Sequence, residues 1–305
     1  MSFDRLQQRI DELKNPTVVG LDPALEHIPP HILRKNIKEH GETLWAAALS
    51  VFEFNAMLIN AINDIVPAVK PQLAFYEALG TEGVLAFEKT CKYAKRRGLY
   101  VICDGKRGDI GSTAEAYSAA YLGEVEIGST KVAPFDADAL TINAYLGSDG
   151  VKPFLDAAIK HDKALFALVK TSNPSAGELQ DLAVGDGRAK LYEKVGEQME
   201  LMSLDTVGKH GFTRIGAVVG ATYPHELLHM REKLSSTFFL VPGYGAQGGG
   251  AADASKAFRK DGRGAIVNSS RSIIAAWKKT GGDYVAAARD EALRMREELR
   301  DAVYS

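Results

Sequence analysis

The stretch EGVLAFEKTCKYAKRRGLYVICDGK, residues 82–106, decides the class of fold. Residues 82–97 carry apolar side chains at the spacing of an amphipathic helix. Residues 99–106, LYVICDGK, form an apolar run of strand length that ends in charged residues. Because this run lacks the apolar–polar alternation of a half-exposed strand, it is typical of a strand buried on both faces of a parallel sheet. The stretch therefore predicts one unit of an α/β protein.

The same arrangement recurs along the 305 residues of the chain, with strand-like runs separated by helical segments. The other seven runs are residues 17–22, 68–75, 138–145, 164–172, 214–222, 238–245 and 264–271. The other helical segments are residues 38–64, 148–161, 188–204 and 283–303, and an N-terminal helix precedes the first run. Eight alternating units predict a (β/α)8 TIM barrel, with an open doubly wound sheet as the alternative. No Pro/Gly/Ser-rich hinge divides the chain, so we expect a single domain over residues 1–305.

The composition argues against several classes of protein. Lys and Arg number 37 and Asp and Glu 39, so the formal charge is −2, and no long basic block is present. A general nucleic-acid binder needs a strongly basic surface, and we therefore expect no nucleic-acid partner. No run of 18 apolar residues predicts a membrane span, and the mixed charges of residues 1–15 do not resemble a secretory signal. Cys91 and Cys103 are too few for a disulfide framework, so we expect them to be reduced in a cytoplasmic protein.

In a barrel of this kind the chemistry lies at the carboxyl ends of the strands. Asp22 ends the first run, Lys70 lies in the second, and Asp104 and Lys106 end the third. Asp104 and Lys106 are two residues apart, so in an extended strand their side chains point to the same side. Asp109 lies beyond a predicted turn and cannot simply share their direction. An alternating array of Asp and Lys keeps each charge compensated, whereas a single D-x-K pair would more often be a structural ion pair.

A glycine-rich segment after the seventh run, PGYGAQGGG at 242–250, predicts a phosphate site. Glycines allow close approach of backbone N–H groups, and Arg271 after the eighth run adds a guanidinium. The loops after these two strands often bind phosphate in TIM barrels. Residues 243–248 also match G-x-G-x-x-G, but a dinucleotide site would follow the first strand, with an acidic residue about 20 positions on. The eighth run ends in Ser-Arg, so we predict a phosphate loop rather than a dinucleotide site.

A second motif, H-E-x-x-H at residues 225–229, matches the pattern of a zinc-protease helix. Such a site needs a third ligand, and no suitable residue follows in the sequence. We therefore expect a short helix after the sixth run with two solvated histidines and no metal. The remaining histidines do not pair with Ser or Cys in a nucleophile motif, so acyl-transfer chemistry is not predicted.

Together, the motifs at the ends of the runs resemble those of the orotidine 5′-phosphate decarboxylase family. The string DGKRGDIGST at 104–113 is similar to the D-x-K-x-x-D-I motif of that family. Further motifs follow in the family's order: VGLDP at 19–23, VKPQLAFYE at 69–77, KTSNPSA at 170–176, PGYGAQGG at 242–249 and NSSRSI at 268–273. The chain length and the KTSNPSA and VKPQ variants resemble the longer bacterial branch.

The resemblance implies a role for each matching residue. Asp104, Lys106 and Asp109 match the catalytic motif, and Lys70 matches the lysine that precedes it. Asp109 would act across a homodimer interface in the partner's active site, together with the residues matching Ile110 and Thr113. The implied substrate contacts are Asp22 for the ribose, Ser172 for the pyrimidine, and Gln247 and Arg271 for the phosphate, with Pro242, Gly245 and Ser270 in the phosphate loops. Ser270 stands where shorter members often carry Gly, and residues 242–250 are a candidate lid. Neither a metal nor an organic cofactor is implied.

The implied enzyme is a carboxy-lyase that converts orotidine 5′-monophosphate to uridine 5′-monophosphate in pyrimidine biosynthesis. Loss of CO2 from C6 leaves an electron pair in an sp2 orbital that no neighbouring π-system accepts. An ammonium at Lys106, held by Asp104 and Asp109, would stabilise this carbanion and protonate C6. One alternative is a related sugar-phosphate decarboxylase or synthase on the same barrel, with metal-binding acids near its mouth. The other is a non-catalytic binder of a phosphate ligand, in which unused buried charges would lower stability.

Overall fold

Eight parallel strands close into a barrel in the computed structural model, which describes residues 1–245 and 248–304. The strands are β1 (Thr17–Leu21), β2 (Ala68–Pro71), β3 (Tyr100–Arg107), β4 (Ala139–Ile142), β5 (Ala164–Lys170), β6 (Ile215–Val219), β7 (Phe239–Val241) and β8 (Ala265–Ser269). Each strand pairs with its neighbours in the sequence, and β1 closes the ring on β8 with Thr17 opposite Val267. The predicted (β/α)8 barrel is confirmed, and the alternative of an open sheet is wrong.

Helices form a layer around the outside of these strands. The longer ones are α1 (Ser2–Leu13), α2 (Pro30–His40), α3 (Leu44–Ile62), α4 (Gly80–Arg96), α5 (Gly111–Tyr121), α6 (Ser148–Lys160), α7 (Leu191–Met202), α8 (Pro224–Lys233) and α9 (Tyr284–Tyr304). Shorter helices are Ala74–Glu77, Gly177–Gln180, Ala251–Ala254, Arg271–Ile274 and Trp277–Thr280. Two small antiparallel hairpins pair Val125–Ile127 with Thr130–Val132 and Ala183–Val184 with Ala189–Lys190.

Two predicted segments have different boundaries in the structure. The single helix expected over residues 38–64 is wrong, because α2 and α3 are separate helices. Gly41 ends α2 with φ +72, a conformation that glycine adopts without steric cost, and the Thr43 hydroxyl accepts a hydrogen bond from Ala46 N (3.2 Å) to start α3. The second strand is also shorter than residues 68–75, since the chain turns into the short helix Ala74–Glu77.

The predicted N-terminal helix is present as α1, and it covers one end of the barrel. Its residues Phe3, Leu6 and Ile10 are fully buried among side chains that point into the barrel. The Phe3 ring stacks on Phe238 at 4.9 Å and meets Phe166 at 5.0 Å between ring centroids. This end is the one from which the strands start, so the opposite end, where the strands finish, is left open for a site.

Among the residues that the structure describes, one helix has the length and the apolar composition needed to cross a membrane. This helix is α3. Its mean hydropathy is 1.4, and more than half of it is buried inside the fold. It packs against α2, α4 and α9 in the outer layer of the barrel. The apolar character of α3 is therefore accounted for by core packing.

Candidate active site

A cavity of about 420 Å³ opens at the carboxyl ends of the barrel strands. The strand residues in its wall form two unlike groups, and residues of the loops after β5 and β7 complete the wall. The first group is polar or charged: Lys70 on β2, Asp104 and Lys106 on β3, Thr141 on β4 and Asn268 on β8. The second group is apolar: Leu168 on β5, Val218 on β6 and Leu240 on β7. A ligand bound between the strands would therefore meet charged side chains near β2 and β3 and apolar side chains near β6 and β7.

Three of these residues form a row of alternating charge, which we call the charge cluster: Lys70, Asp104 and Lys106. The Lys70 Nζ lies 2.7 Å from Asp104 Oδ2, and the Lys106 Nζ lies 2.6 Å from Asp104 Oδ1. Lys70 and Asp104 are buried, with 5% and 7% of their surface exposed, whereas 46% of the Lys106 side chain is exposed. The sequence prediction that these charges meet at the barrel mouth agrees with this geometry.

The two buried charges of the cluster stabilise each other. Burial alone would raise the pKa of Asp104, but Lys70 and Lys106 hold the pKa of this carboxyl well below its usual range. Burial alone would lower the pKa of Lys70, but the charges of Asp104 and Asp22 raise it above its usual value. Asp104 is therefore ionised and Lys70 protonated at neutral pH.

The Asp104 carboxylate accepts four hydrogen bonds. Oδ1 accepts from Lys106 Nζ and from Thr141 Oγ1 (2.9 Å), and Oδ2 accepts from Lys70 Nζ and from Gln72 Nε2 (2.9 Å). Both oxygens thus have two donors, which fixes the plane of the carboxylate. The Lys106 ammonium gives one of its three N–H groups to this carboxylate and lies at the cavity with the others.

Lys106 does not have the extended conformation predicted from the sequence. Its φ is +48, in the left-handed region that residues other than glycine rarely adopt. The regular pairing of β3 with β4 is interrupted at this point. The expected meeting of Asp104 and Lys106 is therefore produced by a bulge rather than by the simple alternation of an extended strand.

Asp22 follows β1 close to the charge cluster. Its charge contributes to the raised pKa of Lys70, and its Oδ1 atom is buried without a hydrogen-bond partner among the described residues. A buried carboxylate oxygen with a free lone pair can accept a hydrogen bond from a ligand. Asp22 is not among the described residues that line the cavity, and its predicted contact with the ribose stays a prediction.

Asp109, Ile110 and Thr113 lie beyond the end of β3 and do not line the cavity of their own chain, as far as the described residues show. The Asp109 Oδ1 accepts a hydrogen bond from Ile110 N at 2.8 Å. Ile110 is 52% exposed, and Thr113 is also exposed. The charge cluster of one chain thus forms without Asp109, whose predicted role in a partner's site stays a prediction.

The loop after β5 forms another part of the cavity wall and contains Ser172. Gln180 braces this loop, because its Oε1 accepts from Thr171 N (2.9 Å) and its Nε2 donates to Thr171 Oγ1 (2.8 Å). Below the loop, the fully buried Lys170 pairs with Asp181 at 2.7 Å. Ser172 is therefore held at the cavity by a fixed loop.

The segments predicted to bind phosphate come together beyond β7 and β8. Pro242 lines the cavity, and Gly243 and Gly245 turn the backbone with φ +99 and +75. A Cβ at position 245 would lie 3.0 Å from the Ser272 hydroxyl, so this loop abuts the short helix that begins at Arg271. Ser270 is the residue before that helix, and Arg271 is exposed. Gln247 lies outside the described residues.

A sequence model of the family described as "Orotidine 5'-phosphate decarboxylase / HUMPS family" matches residues 19–282 of the chain. The match covers every segment of the site described above. The chain belongs to this family.

Known relatives agree with this assignment over the full length. The chain is 42% identical over 291 residues to orotidine 5′-phosphate decarboxylase of Rhodopirellula baltica, covering 93% of this chain and 94% of that protein. It is 39% identical over 306 residues to the enzyme of the same name from Clostridium perfringens strain SM101, covering 99% of both. The solved structure of Leishmania donovani OMP decarboxylase matches with a TM-score of 0.76 and 31% identity, covering 100% of this chain and 99% of that one. The predicted family and enzyme class, a carboxy-lyase, are confirmed.

Several polar residues of this orotidine 5′-phosphate decarboxylase / HUMPS site were not predicted from the sequence. Gln72 and Thr141 contact Asp104 directly, and Asn268 lines the cavity with an Oδ1 atom that lacks a partner among the described residues. Gln72 lies in the VKPQ motif and Asn268 in the NSSRSI motif, so both motifs contain a further polar residue of the site. Thr141 lies in an apolar run, where nothing distinguishes it from a packing residue.

The H-E-x-x-H segment lies apart from this site. It forms helix α8, which begins at Pro224, as predicted. The His229 Nε2 lies 3.2 Å from Glu193 Oε2, and His225 is exposed. Among the described residues, no group of three or more His, Cys, Asp or Glu side chains is placed to hold a metal ion.

The two cysteines, Cys91 and Cys103, are buried and form no disulfide. Burial raises the pKa of both thiols.

Proposed function

We propose that this chain decarboxylates orotidine 5′-monophosphate to uridine 5′-monophosphate, as the names of its relatives indicate for those proteins. The observation that carries the proposal is the charge cluster, in which an accessible lysine is paired with a buried, fully hydrogen-bonded aspartate at the mouth of the barrel. The cavity beside it, about 420 Å³ in volume, is within the range of small-ligand sites.

The chemistry follows from the position of Lys106. The bond between C6 and the carboxyl carbon breaks, CO2 leaves, and the electron pair stays on C6. The Lys106 ammonium stabilises this negative charge and then transfers a proton to C6, which gives the product. Asp104 holds the ammonium in place before the substrate charge develops, so little reorganisation is needed during the reaction.

The rest of the nucleotide supplies binding energy away from the reacting carbon. We assign the ribose to Asp22, the pyrimidine to Ser172, and the phosphate to Gln247 and Arg271, with Pro242, Gly245 and Ser270 as the other phosphate-loop residues. Contact between the phosphate and the glycine-rich segment 242–250 would favour a closed form of that segment over the ring. Neither a metal nor an organic cofactor takes part in this scheme.

We also propose that two copies of the chain share their active sites. Asp109, Ile110 and Thr113 lie at the surface of one chain, with 52% of Ile110 exposed, so that a second copy can cover them. Asp109 would then approach the partner's Lys106 and complete the charge cluster. The test is to mix two inactive variants, Lys106→Ala and Asp109→Ala, since a mixed dimer contains one site with neither substitution. Restored activity supports sharing, and no gain over the separate variants refutes it.

Turnover of orotidine 5′-monophosphate, followed by its ultraviolet absorbance, tests the main proposal. Lys106→Ala should lower kcat by roughly 10²- to 10³-fold or more. The matched control is Lys152→Ala, whose side chain is 68% exposed on α6. Normal turnover by Lys106→Ala would refute the role of this lysine. Magnesium-dependent turnover of a sugar phosphate, without activity on the nucleotide, would favour the related decarboxylase or synthase. Binding of the nucleotide without any turnover would favour a phosphate-ligand binder.

A cytoplasmic location of the protein stays a prediction.

A further inference from the structure

The pairing of β3 with β4 is interrupted where the charge cluster forms. Regular pairing stops at Cys103 and resumes at Arg107, so residues 104–106 of β3 face a single residue, Thr141 of β4. A bulge of this kind leaves backbone groups without their usual partners in the sheet. The N–H of Lys106 is such a group, and it donates instead to the Thr141 hydroxyl at 2.9 Å.

The Thr141 hydroxyl has a fixed direction. Because its oxygen accepts from Lys106 N, its own hydrogen is free to donate to Asp104 Oδ1 at 2.9 Å. Thr141 is 1% exposed, so water does not compete for either bond. One buried hydroxyl thus links the backbone that carries Lys106 to the carboxylate that binds the Lys106 ammonium.

This link opposes a conformational preference of the chain. Lys106 has φ +48, which costs energy for a residue with a Cβ and persists only where the surroundings hold it. Without the Thr141 hydroxyl, the Lys106 N–H would be left unpaired and the backbone would be free to relax from this conformation. The ammonium at the end of the side chain would then shift relative to Asp104 and to the reacting carbon of the substrate.

We propose that Thr141 is a positioning residue for the reaction, which acts by holding Lys106 in its left-handed conformation and by orienting Asp104. The inference rests on the proposed function, since it assumes that Lys106 protonates C6. Thr141 lines the cavity but needs no direct contact with the nucleotide for this role. Its loss should therefore affect kcat far more than the binding of the nucleotide.

The test compares Thr141→Val, which keeps the shape of the side chain but lacks the hydroxyl, with Thr141→Ser, which keeps the hydroxyl. Thr17→Val is the matched control, because Thr17 is a fully buried barrel threonine whose hydroxyl lacks a partner among the described residues. We expect Thr141→Val to lower kcat by roughly 10- to 100-fold, as expected for a small misplacement of a reacting group. Thr141→Ser and Thr17→Val should stay within about threefold of the wild type in kcat.

Two further properties are measured for the same proteins. Calorimetry gives the affinity for uridine 5′-monophosphate, and thermal unfolding gives the stability. The positioning role is supported if Thr141→Val binds the product as the wild type does but has a lower kcat, while Thr141→Ser keeps a kcat close to that of the wild type. A wild-type kcat for Thr141→Val overturns it, and so does an equal loss of kcat and product binding. If Thr141→Val does not fold, an activity of Thr141→Ser as low as that of Lys106→Ala overturns it as well. Failure of the wild type to turn over the nucleotide would instead count against the proposed function.

Discussion

Replacing Lys70 by Met tests whether the charge cluster is held together by mutual compensation. Lys70 and Asp104 are 5% and 7% exposed, and their charged atoms are 2.7 Å apart. Methionine has a similar length but leaves one side of the Asp104 carboxylate without its cation. We expect a loss of stability at pH 7, a pH that lies above the lowered pKa of Asp104 and below the raised pKa of Lys70.

The size of the effect follows from what remains around Asp104. Removing one partner of a buried ion pair costs about 3–5 kcal/mol, and Asp104 keeps its bonds to Lys106, Gln72 and Thr141, so we expect about 3 kcal/mol. For a chain of 305 residues the loss corresponds to a fall in Tm of about 5 °C.

The loss should also depend on pH. Folding lowers the pKa of Asp104, so its contribution to stability is present above about pH 4 and is lost as the pH falls through the lowered value. Without Lys70 the pKa of Asp104 is lowered less, and Lys70→Met should lose stability at a higher pH than the wild type during acid titration.

Urea unfolding followed by circular dichroism measures the change. The control is Lys152→Met, which breaks an exposed pair with Asp156 and should cost about 0.5 kcal/mol or less. The double variant Lys70→Met/Asp104→Asn should be more stable than Lys70→Met, with a coupling of about 1.5 kcal/mol or more, because no uncompensated carboxylate remains. A loss for Lys70→Met no larger than that for the control would refute the argument from compensation.

Three further predictions concern other parts of the molecule. Arg271→Ala should raise KM for orotidine 5′-monophosphate by roughly 10- to 100-fold in steady-state kinetics with Tm unchanged, and an unchanged KM would contradict the phosphate assignment. Phe3→Ala should lower the free energy of unfolding by about 3–5 kcal/mol in urea, since Phe3 is fully buried, and a loss below about 1 kcal/mol would show that α1 does not contribute to the core as described. Cys91 and Cys103 should resist a thiol reagent in the native protein and react once it is unfolded, and rapid native labelling would show that they are not buried as described.

The order of the barrel strands could be predicted because strands buried on both faces appear as continuous apolar runs. Helix α5 was not predicted, since its sequence GSTAEAYSAAY has small side chains and little contrast between its faces. The boundary between α2 and α3 was also missed. A glycine and a threonine end one helix and start the next there, within a segment whose apolar pattern continues on both sides.

The charged residues of the site could be predicted from their positions at strand ends, but the way they are held could not. Asp104 and Lys106 meet because of a bulge, and the sequence does not show that Lys106 adopts a positive φ. The contribution of Thr141 depends on that bulge, because its hydroxyl replaces a bond that regular pairing would have made. Such a residue is found only once the register of neighbouring strands is known.

The closure of β1 on β8 has a consequence for synthesis of the protein. The paired residues Thr17 and Val267 are about 250 positions apart in the chain. On the ribosome, β1 emerges early and keeps one unpaired edge until β8 has been translated, and unpaired edges of this kind favour aggregation. Nascent chains that stall before residue 265 should therefore depend on chaperones to stay soluble.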